Sequence, residues 1–322
     1  MIVKGRKKSQ EVIESIKSKN TSLAVFCTAS HWNTEAILLA AKIIGDKYRI
    51  RSVPIGIAMT FNYDYMPQAQ RVTQTGNARL GFLSVIKHLQ VLADDPGSPY
   101  YRVHVLPHLD HADPFRDKWA LTEGTEFLAS VMFDAQKYPL KENIELTKAY
   151  VKEYGENILI EGIMDGLNVF QAHKKKDSDT VDDYPERAYD YLKKTKVDFL
   201  VADLGTEQQS RGIGESRYLK ERAINIYKLL NDRRLVLHGT SCLSDSEIKL
   251  LPNDGILRVN IWTRIVREAG LHAFNQLKNR EDKIQNNDFD SIESYRYLMD
   301  SISKASYIME VIMESLGYAN LS

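Results

Sequence analysis

Short apolar runs rich in β-branched residues alternate along the chain with longer segments of helical spacing. The runs cover residues 22–27, 50–58, 102–107, 127–133, 157–161, 197–204, 235–238 and 256–261. Between them, segments such as 34–44, 140–154, 185–195, 217–230 and 263–277 repeat apolar residues at intervals of three and four. Several runs are apolar almost throughout, which is typical of parallel strands covered on both faces. The pattern therefore predicts eight strands that alternate with helices.

Alternation of this kind fits either a closed barrel or an open doubly wound sheet. An open sheet that binds a dinucleotide carries a glycine-rich turn after its first strand, but residues 27–31 read Cys-Thr-Ala-Ser-His. The count of eight strands also favours the barrel. We therefore predict an α/β fold of the (β/α)8 TIM-barrel class with additional N- and C-terminal helices.

The domain organisation follows from the absence of an internal repeat and of a linker rich in Gly, Pro or Ser. We predict a single TIM-barrel domain over residues 1–322. A polar, lysine-rich stretch at 172–183 is expected to be a flexible or solvated loop. Residues 285–322 are expected to form a helical extension, and the apolar spacing within 291–316 predicts a helix that covers the barrel or a subunit interface.

Composition and charge narrow the range of partners. Lys and Arg number 43, as do Asp and Glu, so the net charge is zero and gives no basic footprint for nucleic acid or an anionic membrane. No apolar run reaches the roughly 18 residues of a membrane span, and only two cysteines are present, which suits a reducing compartment. We expect a cytoplasmic protein that acts on a small molecule and forms a homo-oligomer, a dimer or a tetramer.

Polar side chains stand at the ends of most predicted strands, where the active site of a barrel enzyme lies. In chain order these residues are Thr60, Asn62, His108, Asp110, His111, Asp134, Gln136, Glu161, Asp165, Glu207, Gln208, Arg211, His238, Ser241, Asn260 and Thr263. A barrel with a purely structural role would need none of them.

Histidines near these strand ends suggest a divalent metal, because imidazole and carboxylate are ordinary zinc ligands. The alternative is that His108 and His111 are satisfied by backbone carbonyls. An apolar strand delivers His238 directly to a Gly-Thr-Ser turn at residues 239–241. That turn offers backbone N–H groups and a hydroxyl that could hold a phosphate.

Eight segments of the chain resemble, in collinear order, the class II fructose-bisphosphate and tagatose-bisphosphate aldolases. The segments are 108–111 (His-Leu-Asp-His), 129–134 (Ala-Ser-Val-Met-Phe-Asp), 140–144, 184–188, 197–202, 205–206, 235–239 (Leu-Val-Leu-His-Gly) and 255–260 (Gly-Ile-Leu-Arg-Val-Asn). The resemblance implies a lyase of carbohydrate metabolism that uses a divalent metal ion, and Zn²⁺ is the ion expected. Its substrate would be a ketose or sugar phosphate.

Carried over by position, the resemblance implies that His111 and His238 are metal ligands and that Asp110 is the acid/base at the cleaved bond. Asn260 looks like the family asparagine near the substrate carbonyl, and Thr60 stands where a substrate-binding serine usually lies.

Further matches concern the edges of the site. Asp134 looks like the family aspartate near the metal pocket, with a strand-end cap as its alternative role. Gly239, Ser241 and Thr263 are expected to bind substrate, and Arg211 falls near a family basic residue that would hold a phosphate or carboxylate.

Four departures from the family pattern qualify these expectations. The third histidine ligand is replaced by Gln208, so Glu207 or Glu161 is also a candidate ligand. Glu161 is one glutamate where the family usually has two. Trp262 replaces a small anionic substrate contact, and two glycines of the phosphate turn become Thr240 and Cys242. We therefore expect a substrate other than fructose 1,6-bisphosphate.

Three functions remain open from the sequence. The first is a metal-dependent lyase that performs aldol and retro-aldol chemistry on a ketose or sugar phosphate. The second is a carbohydrate epimerase or isomerase on the same barrel, and the third is a non-catalytic aldolase-like subunit. We rank them in that order.

Overall fold

A computed structural model describes residues 1–169, 183–214 and 217–322 of the chain. Eight parallel strands form a closed barrel in which each strand pairs with the next in chain order and the last pairs with the first. They are β1 (Leu23–Cys27), β2 (Val53–Thr60), β3 (Val103–Ala112), β4 (Ser130–Phe133), β5 (Leu159–Ile163), β6 (Phe199–Val201), β7 (Leu235–Leu237) and β8 (Ile256–Ile261). The predicted (β/α)8 barrel is confirmed.

Helices surround the barrel and lie between its strands. They are α1 (Arg6–Ser18), α2 (His31–Tyr48), α3 (Gln68–Arg71), α4 (Ala78–Asp94), α5 (Lys118–Leu121), α6 (Leu140–Tyr154), α7 (Tyr184–Thr195), α8 (Lys220–Leu230), α9 (Asp245–Ile248), α10 (Thr263–Asn279), α11 (Glu281–Gln285), α12 (Phe289–Ile292) and α13 (Ser294–Ser315). None of the helices in the described ranges is long and apolar enough to cross a membrane.

The core has two parts because successive side chains of a strand point to opposite faces. In β1, Val25 belongs to the cluster inside the barrel, whereas Phe26 belongs to the larger cluster between the strands and the helices. Ile13 and Ile16 of α1 join the inner cluster. Helix α1 therefore contributes to the barrel interior ahead of β1.

Helices α12 and α13 make up most of the C-terminal residues. Helix α13 packs against α2 and α10, and its apolar residues Ile302, Ile308 and Ile312 are buried. This helix thus covers other helices of the barrel wall. The expected loop at 172–183 lies outside the described residues except for Asp183.

Several strand limits differ from the predicted ones, and β3 differs most. Residues 108–111 were expected to follow the strand, but β3 continues to Ala112, because β2 pairs with it as far as Asp110 and β4 pairs with it at Ala112. Strand β5 runs from Leu159 to Ile163, two residues later than predicted. Glu161 is therefore inside a strand and not at its end. Strand β8 has the predicted limits.

Candidate functional site

Two neighbouring residues of β3, Asp110 and His111, supply side chains to one site because the strand is irregular there. Consecutive strand residues normally face opposite sides. Here the pairing of β3 with β4 shifts register between Leu109 and Ala112, and His111 has a left-handed φ of 47°. This bulge turns the imidazole of His111 toward the same pocket as the carboxylate of Asp110.

Asp110, His111 and His238 form a buried group whose potential ligand atoms all lie within 4.8 Å of one another. The rings of His111 and His238 meet edge to face, with centroids 5.1 Å apart. The Nε2 atom of His238 is buried and has no hydrogen-bond partner within the described residues. Burial, with His111 and Arg258 nearby, holds the pKa of His238 well below its ordinary value, so the ring is neutral and able to bind a metal.

Asp134 orients the first of these histidines. Its Oδ2 lies 2.7 Å from Nδ1 of His111, and the side-chain amide of Gln136 donates to the same oxygen at 2.8 Å. Burial would lower the pKa of His111, but Asp110 and the bond to Asp134 together raise it. A carboxylate on Nδ1 leaves Nε2 directed into the pocket, which is the usual arrangement around metal-binding histidines.

Gln208 and Tyr63 complete the surroundings of His111. The amide Nε2 of Gln208 lies 3.0 Å from Nε2 of His111, and the Tyr63 hydroxyl donates to Oε1 of Gln208 at 3.3 Å. The Tyr63 ring stacks on the His111 ring at 4.2 Å with an interplanar angle of 9°. Sequence reasoning missed Tyr63, because a tyrosine in the loop after β2 gives no sign of what it contacts.

Asp110 is buried between the ends of β1 and β8. The amide of Asn260 donates to its Oδ1 at 3.3 Å, and the thiol of Cys27 lies 3.8 Å from its Oδ2. Burial raises the pKa of Asp110 although His111 opposes this effect. A carboxyl group with a raised pKa is suited to accept a proton and return it.

Glu161 lies inside the barrel, outside the group of Asp110, His111 and His238. Its Oε1 forms an ion pair with Arg258 at 2.6 Å, and both side chains are buried. His108 lies 3.5 Å from its other oxygen and also contacts the Ser130 hydroxyl at 2.9 Å. Burial raises the pKa of Glu161 to about 7 in spite of Arg258. An arginine and a glutamate in otherwise apolar strands were the signal that could have revealed this pair.

The turn after β7 begins at Gly239, which has a left-handed φ of 70° and leads into a short 3-10 turn at Thr240–Cys242. A Cβ on Gly239 would lie 2.8 Å from the carbonyl carbon of Glu207 and 2.9 Å from its nitrogen. Only glycine fits this close approach without strain. The Ser241 hydroxyl lies 3.1 Å from that of Ser210.

Nine of the predicted site residues line one pocket that opens to solvent. Its lining includes Thr60, Asp110, His111, Gln208, His238, Gly239, Ser241, Asn260 and Thr263, with Trp262 and Tyr63 beside them. Among the described residues, the predicted Asp134, Glu161, Glu207 and Arg211 are not part of this lining. Glu207 belongs to a short strand, Glu207–Gln208, that pairs with Asn168–Val169, and the Arg211 carbonyl accepts a hydrogen bond from Arg267 at 2.9 Å.

Comparison with known proteins gives partial matches to curated relatives. The chain is 30% identical over 186 residues to a 6-phospho-5-dehydro-2-deoxy-D-gluconate aldolase of Shouchella clausii, a match that covers 57% of this chain and 60% of the relative. It is 32% identical over 157 residues to a fructose-bisphosphate aldolase of Helicobacter pylori, covering 46% of this chain and 48% of the relative. The chain thus matches between about half and three fifths of these relatives' length.

Solved structures with the same fold match over the full length. A fructose-bisphosphate aldolase from Campylobacter jejuni superposes with a TM-score of 0.75 at 18% identity, covering 100% of this chain and 97% of that one. The YdjI aldolase from Escherichia coli K12 superposes with a TM-score of 0.67 at 18% identity, covering 98% of both chains. The sequence pattern that defines the family "Fructose-bisphosphate aldolase class-II" matches residues 7–320. The chain therefore belongs to the class II fructose-bisphosphate aldolase family.

Proposed function

We propose that the protein is a carbon–carbon lyase that performs metal-dependent aldol and retro-aldol chemistry on a ketose or sugar phosphate. The observation that carries this proposal is the buried group of Asp110, His111 and His238 at the mouth of a barrel of this family. Family membership supports cleavage over the epimerase or isomerase and over the non-catalytic subunit that the sequence left open.

The side chains present suit a divalent ion such as Zn²⁺. His238 is neutral and its buried Nε2 is unpaired within the described residues, while Asp134 holds His111 by Nδ1 and leaves its Nε2 toward the pocket. These two imidazoles and the side chain of Gln208 would hold the ion. When bound, a divalent ion polarises the substrate carbonyl and stabilises the negative charge that develops as the carbon–carbon bond breaks.

Asp110 moves the proton in this proposal. As a carboxylate it accepts the proton of the hydroxyl next to the breaking carbon–carbon bond, and it returns that proton in the synthetic direction. Asn260 holds one oxygen of Asp110 by its amide, which leaves the other oxygen on the side of Cys27. Asn260 also lines the pocket, where its own carbonyl oxygen is without a partner in the described part of the chain.

The pocket wall at β7 and β8 supports a phosphorylated substrate. The turn at Gly239 and Ser241 and the first residue of α10, Thr263, line the same pocket, and a helix N-terminus with free N–H groups favours an anion. Trp262 lines it as well and narrows the space available there. We therefore propose a phosphorylated ketose other than fructose 1,6-bisphosphate, with Thr60 contacting its other end.

Product analysis tests the proposal. Purified protein with Zn²⁺, Co²⁺ or Mn²⁺ is incubated with a panel of ketose phosphates that includes 6-phospho-5-dehydro-2-deoxy-D-gluconate and tagatose 1,6-bisphosphate, and the products are identified by ¹³C NMR. We expect two shorter carbon fragments from at least one substrate. Stereoisomers without fragments would show an epimerase or isomerase instead, and unchanged substrates throughout would count against an enzyme of this class.

Assembly and location stay predictions. The expected cytoplasmic location and the lack of nucleic-acid or membrane partners rest on composition. The expected homo-oligomer rests on how common such assemblies are among proteins of this kind.

A further inference from the structure

The side-chain amide of Gln208 hydrogen-bonds to Nε2 of His111, the atom whose lone pair would bind a metal ion. Nδ1 of His111 is engaged by Asp134 at 2.7 Å, so its proton lies on that side and Nε2 is the acceptor. The Gln208 amide nitrogen lies 3.0 Å from this Nε2 and donates to it. The amide of Gln208 therefore covers the Nε2 edge of His111.

Tyr63 holds the other end of the same amide. Its hydroxyl donates to Oε1 of Gln208 at 3.3 Å, and its ring is kept in place by stacking on His111 at 4.2 Å. A phenol hydroxyl both donates and accepts, and the two ends of a glutamine amide are nearly equal in size. A half turn of the amide therefore exchanges its ends and keeps a hydrogen bond to Tyr63.

We propose that Gln208 is a reversible third ligand, positioned by Tyr63. With an ion bound, Oε1 of Gln208 would be its donor atom, and the NH₂ group would donate to the Tyr63 hydroxyl. This inference rests on the metal site of the proposed function. It assigns Tyr63 a positioning role, because the tyrosine acts on the ion only through Gln208 and His111.

The donor set that results has a chemical consequence. Two imidazoles and one neutral amide oxygen form a harder ligand set than three imidazoles. Metal binding would also break the hydrogen bond between Gln208 and His111. Zn²⁺ is therefore bound more weakly than it would be with a third histidine. Replacing the amide by imidazole, as in Gln208→His, is expected to tighten Zn²⁺ binding at least roughly 10-fold.

A double-mutant cycle with Co²⁺ tests the role of Tyr63. The Kd for Co²⁺ is measured by competition with a chromophoric chelator in the wild type, Tyr63→Phe, Gln208→Leu and the double variant. We expect Tyr63→Phe to weaken binding roughly 10-fold, as loss of a group that orients a ligand usually does. In the Gln208→Leu background the same change should alter the Kd less than about 2-fold, because the partner of the hydroxyl is gone.

Tyr65→Phe is the matched control, since it removes a hydroxyl from the same loop, 5.3 Å away ring to ring. Its Kd and Co²⁺ absorption spectrum should match those of the wild type, whereas Gln208→Leu should change the spectrum. An unchanged Kd in Tyr63→Phe, or an equal effect in both backgrounds, would overturn the inference alone. Absence of Co²⁺ binding by the wild type would instead overturn the proposed function beneath it.

Discussion

His111 shows how much of the site depends on one residue. Its backbone is left-handed, its Nδ1 is held by Asp134, one face is covered by Tyr63 and its edge meets His238. A non-glycine residue in this backbone region costs about 1–2 kcal/mol. The sequence predicted His111 as a ligand by family position, but neither its backbone nor Tyr63 follows from local pattern, since both depend on how β3 pairs with its neighbours.

Asp110 is the residue on which the proposed chemistry depends most. We expect Asp110→Asn to lower the rate of cleavage roughly 10²- to 10⁴-fold, because the amide cannot accept the hydroxyl proton. Binding of Co²⁺ should persist, since both histidines remain. Steady-state kinetics with the substrate found by product analysis measures the effect.

Asp232→Asn is the control for this change. Asp232 lies just before β7, at the opposite end of the barrel, where it pairs with Lys17 at 3.1 Å and Arg234 at 2.9 Å. Asp232→Asn should leave the cleavage rate within a factor of about 2 of the wild-type rate. An Asp110→Asn variant as active as Asp232→Asn would remove Asp110 from the mechanism.

His108 gives the metal-free protein a pH-dependent stability. Burial, with Arg258 and His238, holds its pKa well below the ordinary 6.5, so the folded protein keeps it neutral while the unfolded chain takes up a proton as the pH falls. Its contribution is therefore present above pH 6.5 and lost below it. Between about pH 7.5 and about pH 5.5 the wild type should lose roughly 1 kcal/mol more stability than His108→Asn.

Urea unfolding of chelator-treated protein at the two pH values measures this difference. His108→Asn also removes the contact to Ser130, so the two proteins will differ in absolute stability. The change with pH, and not the offset, is the test. Parallel loss of stability in the two proteins would mean that His108 is protonated in the folded state.

Strand β3 is the element that the hydrophobic pattern described least well. Apolar alternation breaks down after Pro107, so residues 108–111 look like a loop, yet pairing with β2 as far as Asp110 and with β4 at Ala112 extends the strand to Ala112. Polar side chains at the end of a barrel strand face a shared pocket. Their burial in that pocket determines the strand conformation here more than the low strand propensity of the residues does. Strand β8, in which apolar residues alternate with Arg258 and Asn260 up to Ile261, had the predicted limits.

The turn after β7 lies against the backbone of Glu207 and Gln208. We expect Gly239→Ala to destabilise the protein and to weaken Co²⁺ binding, because a methyl group would press on the backbone of Glu207 and Gln208. Gly76→Ala is the matched control, since Gly76 has a similar φ of 64° with nothing within 4 Å of the added carbon. That control should cost only the backbone strain of about 1–2 kcal/mol.

Urea unfolding and Co²⁺ titration compare the two glycine variants. A larger loss of stability in Gly239→Ala, together with weaker Co²⁺ binding in that variant alone, is the expected result. Equal effects in both variants would show that the close approach between the turn and the 207–208 strand does not position Gln208.

At the scale of the whole molecule, the closed barrel brings together residues that are far apart in the chain. Asp110 and His238 are 128 positions apart, yet β3 and β7 place them at one mouth. The sequence predicted the eight strands, their order and most residues of the pocket, since these follow from hydrophobic period and family motifs. The Glu161–Arg258 pair needed the register of opposite strands, which no local pattern provides.

Metal stoichiometry tests the central claim most directly. Equilibrium dialysis of chelator-treated protein against Co²⁺, followed by elemental analysis, should give one ion per chain in the wild type and in His272→Asn, a histidine in the middle of α10. The same measurement should give no bound ion in His111→Asn or His238→Asn, with folding of each variant checked by circular dichroism. A wild type without Co²⁺, or both site variants with a full complement of it, would contradict the account.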